Sequence, residues 1–286
     1  MKPTTRNNIL EDFISGCLRE DTGDGDHSTL ACIPEDARGK ARLLIKDKGI
    51  LSGCGVAENV FRIIDPSLEF EPFIADGSRI SPGDVVFHVS GKVHSILKAE
   101  RLVLNIMQRM SGIATSTGMY VEKLTGLRTK ILDTRKTSPG MRFLEKEAVR
   151  TGGGLNHRMG LFDMIMLKDN HIDYAGGIEN AIRKTNDYLL GKKKKLPVEI
   201  EARNLDDVRK ILQTGGVDRI MLDNFNLADT REAVKLIDHR YETESSGGIT
   251  LETIRDYAEC GVDFISVGAL THHIQSLDMS LKAFSK

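Results

Sequence analysis

The pattern of apolar and polar positions changes along the chain, and the first part is typical of a small β-rich domain. Residues 40–100 contain short apolar runs separated by glycine, proline, aspartate and serine, with one helical segment near residues 55–64. His88 and His94 are expected to be strand residues there. Residues 98–125 then carry apolar side chains at i, i+3 and i+4, which predicts a long helix that links this domain to the rest.

From residue 130 onward a different period appears, in which apolar runs end in polar or small residues. The ends are Asp133, Lys168, Glu201, Asp223, Ser246 and Gly268. The last four are 22, 23 and 22 residues apart, about the length of one strand, one loop and one helix. Strands that alternate with helices form parallel βαβ units, and in a barrel of such units the strand ends converge on the face that carries the active site. Six strands rather than eight are visible, so we expect a barrel that is incomplete or capped by the first domain.

Composition limits the classes of function. The chain has 286 residues, of which 40% are hydrophobic, so a substantial core is available. The formal net charge of −1 gives no overall field for nucleic acid or an anionic membrane, so any anion must bind locally. No apolar stretch of 18 residues and no secretory leader pattern is present, which predicts a cytoplasmic protein without a membrane span. The four scattered cysteines predict free thiols in a reducing compartment.

The strongest chemical signal is a group of cationic side chains, here called the cation cluster. Two predicted strands end in cations, and a glycine-rich turn between them supplies two more: Arg135, Lys136, His157, Arg158 and Lys168. If these strands lie side by side, the charges repel one another unless an anion lies among them. Arginine binds carboxylates with a two-pronged geometry that lysine does not match. The cluster therefore predicts a small, highly negative substrate.

The other strand ends carry complementary chemistry. Glu201 and Asp223, here called the acid pair, are carboxylates on neighbouring strands and suit Mg²⁺ together with water and phosphate. The last two strands end in small residues whose backbone N–H groups are unobstructed, here called the phosphate cradle: Ser246, Gly247, Gly248, Gly268 and Ala269. A glycine pair or a strand-end lysine alone is weak evidence. Six consecutive strand ends with complementary chemistry indicate one site for an anionic acid beside a sugar phosphate.

Several strings in these segments resemble the quinolinate phosphoribosyltransferase family, also called nicotinate-nucleotide pyrophosphorylase (carboxylating). They are LDTRKTSPG, GGGLNHRMGLFD, LKDNH, LDNF, SSGGI and SVGALTH. The likeness extends upstream through EDTGDGDHST, SPGD, ERLVLN and SGIAT, in the order of the family. It covers nearly the whole chain, and the motifs are highly specific in combination.

The resemblance implies a fold, a reaction and an assembly. The fold is α/β, with a small N-terminal α/β sandwich-like domain at residues 1–112 and an incomplete α/β barrel at residues 113–286, whose last helix can pack back on the first domain. The reaction is that of a pentosyltransferase in de novo NAD biosynthesis. It joins quinolinate to phosphoribosyl pyrophosphate with Mg²⁺ and gives nicotinate mononucleotide, CO₂ and pyrophosphate. The assembly is a homodimer, or a hexamer of three dimers, in which the first domain of one chain covers the barrel mouth of the other.

The resemblance also implies roles for single residues. The carboxylates of quinolinate are expected to meet Arg135, His157, Arg158 and Lys168, with Lys136 close by and the partner subunit's Arg101 entering from the other chain. The acid pair corresponds to the acids near the ribose and the metal. The phosphate cradle corresponds to the loops that bind the 5′-phosphate. The implied catalytic residues are Lys136, Lys168, Glu201 and Asp223.

Three other functions stay open at this stage. A related transferase of the same architecture acts on another acid, such as nicotinate or a ligand in molybdate metabolism. A Schiff-base barrel enzyme with Lys168 or Lys136 as nucleophile needs a lysine in an apolar setting, whereas both lie beside polar neighbours. A non-catalytic anion-binding protein of the same fold binds without turnover.

Overall fold

The computed structural model describes residues 3–284 of the chain, with side chains from residue 8 onward. In this part the α-helices are α1 Pro3–Thr22, α2 His27–Cys32, α3 Cys54–Ile64, α4 Val93–Lys123, α5 Arg142–Thr151, α6 Asp169–Ala175, α7 Ile178–Lys192, α8 Leu205–Thr214, α9 Leu227–Ile237, α10 Ile254–Ala258 and α11 Ala269–His272. The β-strands are β1 Arg38–Ile45, β2 Gly49–Ile50, β3 Glu69–Pro72, β4 Arg79–Ile80, β5 Val85–Lys92, β6 Lys130–Leu132, β7 Ile165–Leu167, β8 Val198–Ala202, β9 Arg219–Asp223, β10 Glu242–Ser246, β11 Phe264–Ser266 and β12 Met279–Ala283.

The described residues divide into two compact units. The first contains the chain up to Ser116 together with Pro139–Gly152 and the residues from Ile274 onward, and the second contains Thr117–Ser138 and Gly153–His273. Helix α4 runs through the border between them. The domain boundary after residue 112 stays a prediction.

The first unit contains a four-stranded antiparallel sheet in the order β12-β1-β5-β3. Ala41, Leu43 and Ile45 form the buried row of β1. Because successive side chains of a strand point to opposite faces, this row gives the sheet an apolar face. The ring of Phe61 in α3 meets the ring of Phe87 in β5 edge to face, with centroids 5.9 Å apart, so helix and sheet share one core. This confirms the small N-terminal α/β domain.

The structure corrects two predictions for the first unit. His88 lies in β5, but His94 is the second residue of α4, which begins five residues before the predicted start at residue 98. The apolar residues that the sequence groups into a strand here, Ile96 among them, instead cover the buried side of the first helical turns. The last element is the strand β12 rather than a helix, and its Leu281 pairs with Leu43 of β1.

The second unit contains six parallel strands in the order β6-β11-β10-β9-β8-β7. In the described residues no ladder joins β7 back to β6, so the sheet does not close. Ile200 of β8 is fully buried, as are Val208 and Ile211 of the following helix α8, which shows how each helix covers the sheet with its apolar side. The predicted incomplete α/β barrel is thereby confirmed. Among the described helices, none combines the length and apolar character that a bilayer span requires.

Candidate active site

The predicted site residues of the second unit line one cavity. Its volume is about 710 Å³, within the range typical of small-molecule sites. All of the predicted residues except Arg101 are part of its lining: Arg135, Lys136, His157, Arg158, Lys168, Glu201, Asp223, Ser246, Gly247, Gly248, Gly268 and Ala269. Arg101 is exposed on α4 in the first unit. The strand ends thus converge as the parallel topology requires.

Asp133, just after β6, brings the glycine-rich turn to the strand end. Its carboxylate is fully buried, and its two oxygens accept hydrogen bonds from the backbone N–H of His157 at 2.8 Å and from the side-chain amide of Asn156 at 2.6 Å. A buried carboxylate is stable only when such donors replace water. Asp133 therefore has a structural role: it holds the segment that carries His157 and Arg158 beside the end of β6.

Arg135 lies close enough to Arg158 to disfavour the positive charge on the Arg158 guanidinium. Burial lowers the pKa of the Arg158 guanidinium, and the positive charge of Arg135 lowers it further. One Nη atom of Arg158 donates to the carbonyl of Met164 at 3.3 Å, which leaves further donors of the guanidinium fork for another acceptor. Two partly buried guanidinium groups of like charge are an arrangement that an anion between them stabilises.

His157 lies at the centre of a buried charge network. Its Nε2 is 2.9 Å from a carboxylate oxygen of Glu199 and 3.4 Å from one of Glu244. Arg219 binds the same oxygen of Glu244 at 2.9 Å. Burial opposes a charge on the His157 ring, but the two carboxylates outweigh it and raise the pKa of His157 to about 9. Burial and the neighbouring charge of Glu244 raise the pKa of Glu199.

The acid pair is connected to the cation cluster through Lys168. The Lys168 ammonium forms an ion pair with Oε1 of Glu201, and Oε2 of the same carboxylate accepts the backbone N–H of Asp169 at 3.1 Å. Asp223 lies at the end of the next strand. Burial raises the pKa of Asp223, and the negative charge of Glu201 raises it further. The negative charges of the two carboxylates thus act on each other from neighbouring strands.

Asn224 connects the acid pair to the phosphate cradle through two hydrogen bonds. Its side-chain amide donates to Asp223 at 2.9 Å, and its backbone N–H donates to the carbonyl of Ser246 at 2.9 Å. The residue has a φ of +56°, a left-handed conformation that asparagine tolerates better than most residues. A Cβ atom on Gly247 would lie 2.1 Å from the side-chain oxygen of Asn224, so only glycine fits there. The cradle therefore has no room for a side chain at position 247, and its backbone N–H groups stay accessible to a ligand.

Family models match both parts of the chain. The model for the C-terminal domain of quinolinate phosphoribosyl transferase matches residues 113–282, and the model for its N-terminal domain matches residues 26–111. The chain belongs to this family.

Relatives of known name and structure agree with this family. A chloroplastic protein of Arabidopsis thaliana, named nicotinate-nucleotide pyrophosphorylase (carboxylating), is 45% identical over 96% of this chain and 82% of its own length. The crystal structure of NadC from Streptococcus pyogenes has a TM-score of 0.92 and 39% identity, and the match covers 100% of this chain and 99% of that one. The nicotinate-nucleotide pyrophosphorylase from Francisella tularensis has a TM-score of 0.90 and 39% identity, with 97% of each chain covered.

The quinolinate phosphoribosyltransferase fold also brings residues to the cavity that the sequence did not single out. Asn224, His272 and Glu244 belong to the lining. Nε2 of His272 and the Lys136 side chain each lie 3.0 Å from the place where a Cβ of Gly268 would be, so both flank the cradle. The one sequence signal for Glu244 and Glu199 is their position inside otherwise buried strands, two residues before Ser246 and Glu201. His272 has no signal in the periodicity of the chain, although it is the last residue of the SVGALTH string.

The carboxylate oxygens of the acid pair are suitable ligands for a magnesium ion. Mg²⁺ usually takes one or two carboxylates and keeps water or phosphate oxygens in its other positions. Asp223 is half-buried, and its pKa is raised in part by the negative charge of Glu201, which is the kind of interaction that a divalent cation reverses. Both residues are acceptors at one wall of the cavity, next to the cradle. Glu201 already pairs with Lys168, so Asp223 is the more available ligand.

Proposed function

We propose that the chain transfers the phosphoribosyl group of phosphoribosyl pyrophosphate to quinolinate with loss of CO₂. The products are nicotinate mononucleotide, CO₂ and pyrophosphate, a step of de novo NAD biosynthesis. The observation that carries the proposal is the single cavity in which the cation cluster, the acid pair and the phosphate cradle follow one another along the strand ends. A Nicotiana tabacum relative that is 46% identical over 96% of the chain bears the name quinolinate phosphoribosyltransferase (decarboxylating), which supports it.

The cation cluster is the proposed site of quinolinate. The substrate carries two neighbouring carboxylates, and the positive charge of Arg135 acts on Arg158 and lowers the pKa of its guanidinium. Binding of a dianion relieves that repulsion, and two-pronged guanidinium–carboxylate contacts set the plane of the ring. Lys168 lies on the side of the acid pair. In this orientation the ring nitrogen of quinolinate faces the acid pair, which is also the proposed place of the ribose.

The phosphate cradle is the proposed site of the 5′-phosphate. Asn224 leaves no room for a side chain at Gly247, and the place of a Cβ at Gly268 lies 3.0 Å from side-chain atoms of Lys136 and His272. The backbone N–H groups of these glycines and the nearby Lys136 ammonium match the donors that a phosphate needs. The ribose then spans from the cradle to the acid pair, which places its C1 between Glu201, Asp223 and the cation cluster.

The reaction follows from the charges around C1. The ring nitrogen of quinolinate attacks C1 while the C1–oxygen bond to pyrophosphate breaks, and positive charge develops on the sugar. Glu201 and Asp223 stabilise that charge because they are preorganised by Lys168, Asp169 and Asn224. Glu201 and Asp223 would hold Mg²⁺, and the ion would supply positive charge beside the leaving pyrophosphate.

Decarboxylation needs no further cofactor. After transfer the ring nitrogen is positive and lies next to the C2 carboxylate. The C2–carboxylate bond breaks, CO₂ leaves, and the electron pair stays on C2, where the neighbouring positive nitrogen stabilises it until a proton is added. The protein's part is orientation, because the cation cluster holds the acid in one pose throughout.

The assembly and location belong to the same proposal. We propose a homodimer, or a hexamer of three dimers, in which the partner subunit's Arg101 completes the cation cluster. Its support is that Arg101 is an exposed arginine on α4 of the first unit, whereas the whole cavity lining comes from the second unit. A cytoplasmic location stays a prediction, since some relatives are described as chloroplastic and others as mitochondrial.

A Schiff-base mechanism is disfavoured by one contact. The Lys168 nitrogen forms an ion pair with Glu201 and does not lie in the apolar setting that a nucleophilic lysine requires.

A relative that acts on nicotinate is the second candidate function, and an acid panel separates the two. Purified protein is incubated with phosphoribosyl pyrophosphate, Mg²⁺ and either quinolinate or nicotinate, and the nucleotide is identified by mass spectrometry. We expect product from quinolinate, and none after Mg²⁺ is removed with a chelator. Product from nicotinate alone would replace the proposal with the relative's activity. Binding of quinolinate without turnover of either acid would indicate a non-catalytic binding protein.

A further inference from the structure

The antiparallel sheet of the first unit carries a second cavity, here called the sheet-face cavity. Its volume is about 490 Å³, within the range typical of small-molecule sites. The side chains that line it come from β1, β3 and β5 and from the residue after β12: Arg38, Lys40, Glu69, Ser90 and Phe284. All of them belong to the first unit, and none of them lines the active-site cavity.

Strand pairing places these side chains on the face of the sheet opposite its buried row. Lys40 pairs with Ser90 of β5, and Ser90 pairs with Glu69 of β3, so the three side chains stand in one row across the sheet. Because side chains alternate along a strand, Arg38 points to the same face as Lys40, away from the face of the buried Ala41. The cavity therefore has a cationic side at β1 and an acidic side at β3.

The cationic side of the cavity is suited to a chain of phosphate groups. Arg38 and Lys40 are exposed, and neither forms an ion pair with a carboxylate of the described residues. Lys92 lies directly opposite Arg38 in the ladder, and like charges in that position repel each other. A di- or triphosphate brings several negative charges to this side, which relieves the repulsion and gives the guanidinium and ammonium donors their acceptors.

The ring of Phe284 supplies an aromatic surface beside these cations. It contacts the ring of His88, with centroids 4.7 Å apart, and the Arg42 guanidinium lies 5.5 Å from its centroid. These two contacts hold the ring in place. Neither His88 nor Arg42 lines the cavity, so Phe284 borders the cavity with another part of its ring. A fixed, partly exposed ring beside cationic groups is a surface on which a nucleobase stacks.

The acidic side of the cavity disfavours a ligand that is negative throughout. The hydroxyl of Ser90 donates to Oε2 of Glu69 at 3.1 Å, and the other carboxylate oxygen remains an acceptor. A carboxylate repels phosphate but accepts hydrogen bonds from hydroxyl and amino groups. In dinucleotide-binding folds an acidic side chain binds the ribose hydroxyls in this way. Phosphates, ribose hydroxyls and an aromatic base are together the parts of a nucleotide.

We propose that the sheet-face cavity binds a nucleoside di- or triphosphate. The phosphates lie against Arg38 and Lys40, the ribose hydroxyls against Glu69, and the base against the ring of Phe284. None of these residues takes part in the proposed phosphoribosyl transfer, so this binding is independent of that reaction. The other occupants of such a face are a phosphate chain without a base and a second copy of this chain.

The first test uses the full-length wild-type protein and needs no activity. Calorimetry should show that ATP binds about fivefold tighter than tripolyphosphate, because only ATP has a base that stacks on Phe284. Photolabelling with 8-azido-ATP, followed by mass spectrometry of peptides, should modify β1 or the peptide that contains Phe284. Equal affinity for the two compounds, or no binding of ATP at about 1 mM, would overturn the proposal. So would label that is confined to peptides of the active-site cavity.

The second test changes the residues that line the cavity. Arg38→Gln/Lys40→Gln should weaken ATP binding roughly tenfold or more, and Phe284→Leu should weaken it about fivefold without changing the affinity for tripolyphosphate. Lys282→Gln is the matched control, because Lys282 is an exposed lysine of the same sheet that does not line the cavity. The control should change the affinity less than about twofold. An equal loss in the control, or no loss in Phe284→Leu, would contradict a nucleotide site.

One further variant separates the two cavities. Lys136 lines the active-site cavity, so Lys136→Gln should leave ATP binding at the sheet-face cavity intact. Loss of ATP binding in Lys136→Gln, but not in Arg38→Gln/Lys40→Gln, would place the nucleotide in the active site and overturn the proposal. Light scattering of the same variants tests the other occupant. A change in oligomeric state without a change in ATP affinity would mean that a second copy of the chain covers this face.

Discussion

The ammonium of Lys168 forms an ion pair with Oε1 of Glu201, and the other oxygen of that carboxylate accepts the backbone N–H of Asp169. One carboxylate on β8 is thereby tied to two consecutive residues at the end of β7. Glu201 is almost fully buried, so these partners replace its hydration and set its direction into the cavity.

This contact leads to a prediction for the acid pair. Glu201→Gln and Asp223→Asn keep shape but remove the charge that stabilises the developing positive charge at C1. Each should lower kcat roughly 100- to 1,000-fold. The dissociation constant of quinolinate, measured by calorimetry, should change less than about threefold. Unchanged turnover in both variants would remove the acid pair from the mechanism.

A second prediction concerns the geometry of Arg158. Arg158→Lys keeps the charge but loses the two-pronged contact, so the KM for quinolinate should rise roughly 10- to 100-fold. The control is Arg203→Lys. Arg203 is also an arginine beside a strand end, but it pairs with Asp173 and Asp207 and is not part of the cavity lining. If Arg158→Lys changes the KM for quinolinate no more than this control does, Arg158 does not bind a carboxylate of the substrate.

A third prediction tests the phosphate cradle. In Gly247→Ala the new Cβ would collide with Asn224, so the KM for phosphoribosyl pyrophosphate should rise by roughly tenfold or more. Gly261→Ala is a close control, because Gly261 has the same φ of +94° but only an ordinary 3.5 Å contact with Val234. Both variants should lose about 1 kcal/mol of stability through backbone strain. Gly247→Ala adds the collision with Asn224, and only this variant should change substrate affinity. Equal kinetics in the two would place the phosphate elsewhere.

A fourth prediction tests the shared site. Arg101→Ala and Lys168→Met should each be nearly inactive as pure proteins. In a mixed dimer one site receives both changes and the other receives neither, if Arg101 acts on the partner. With random pairing half of the dimers are mixed, so co-expression should restore roughly a quarter of wild-type activity. Mixed dimers shown to be present, for example by two affinity tags, but without activity would place Arg101 in its own chain's site.

Individual residues show which features of the fold and the site can be predicted from the sequence and which cannot. The strand ends at Lys168, Glu201, Asp223 and Ser246 could be predicted because a parallel βαβ pattern gives both the period and the common face. The contacts of Glu199 and Glu244 with His157 could not be predicted, since they depend on how the strands and the glycine-rich turn pack together. His94 was misplaced because a short apolar run fits the start of a helix as well as a strand. Asn224 needed the backbone itself, because its left-handed conformation and its fit against Gly247 have no sequence period.

The central claim is that one site both joins quinolinate to the phosphoribosyl group and releases the C2 carboxylate. The most direct measurement uses quinolinate labelled with ¹³C in the C2 carboxyl group, together with phosphoribosyl pyrophosphate and Mg²⁺, and follows labelled CO₂ and the nucleotide in the same reaction. The account predicts one labelled CO₂ for each unlabelled nicotinate mononucleotide, and no CO₂ when phosphoribosyl pyrophosphate is left out. Label retained in the nucleotide, or labelled CO₂ released without phosphoribosyl pyrophosphate, would contradict it.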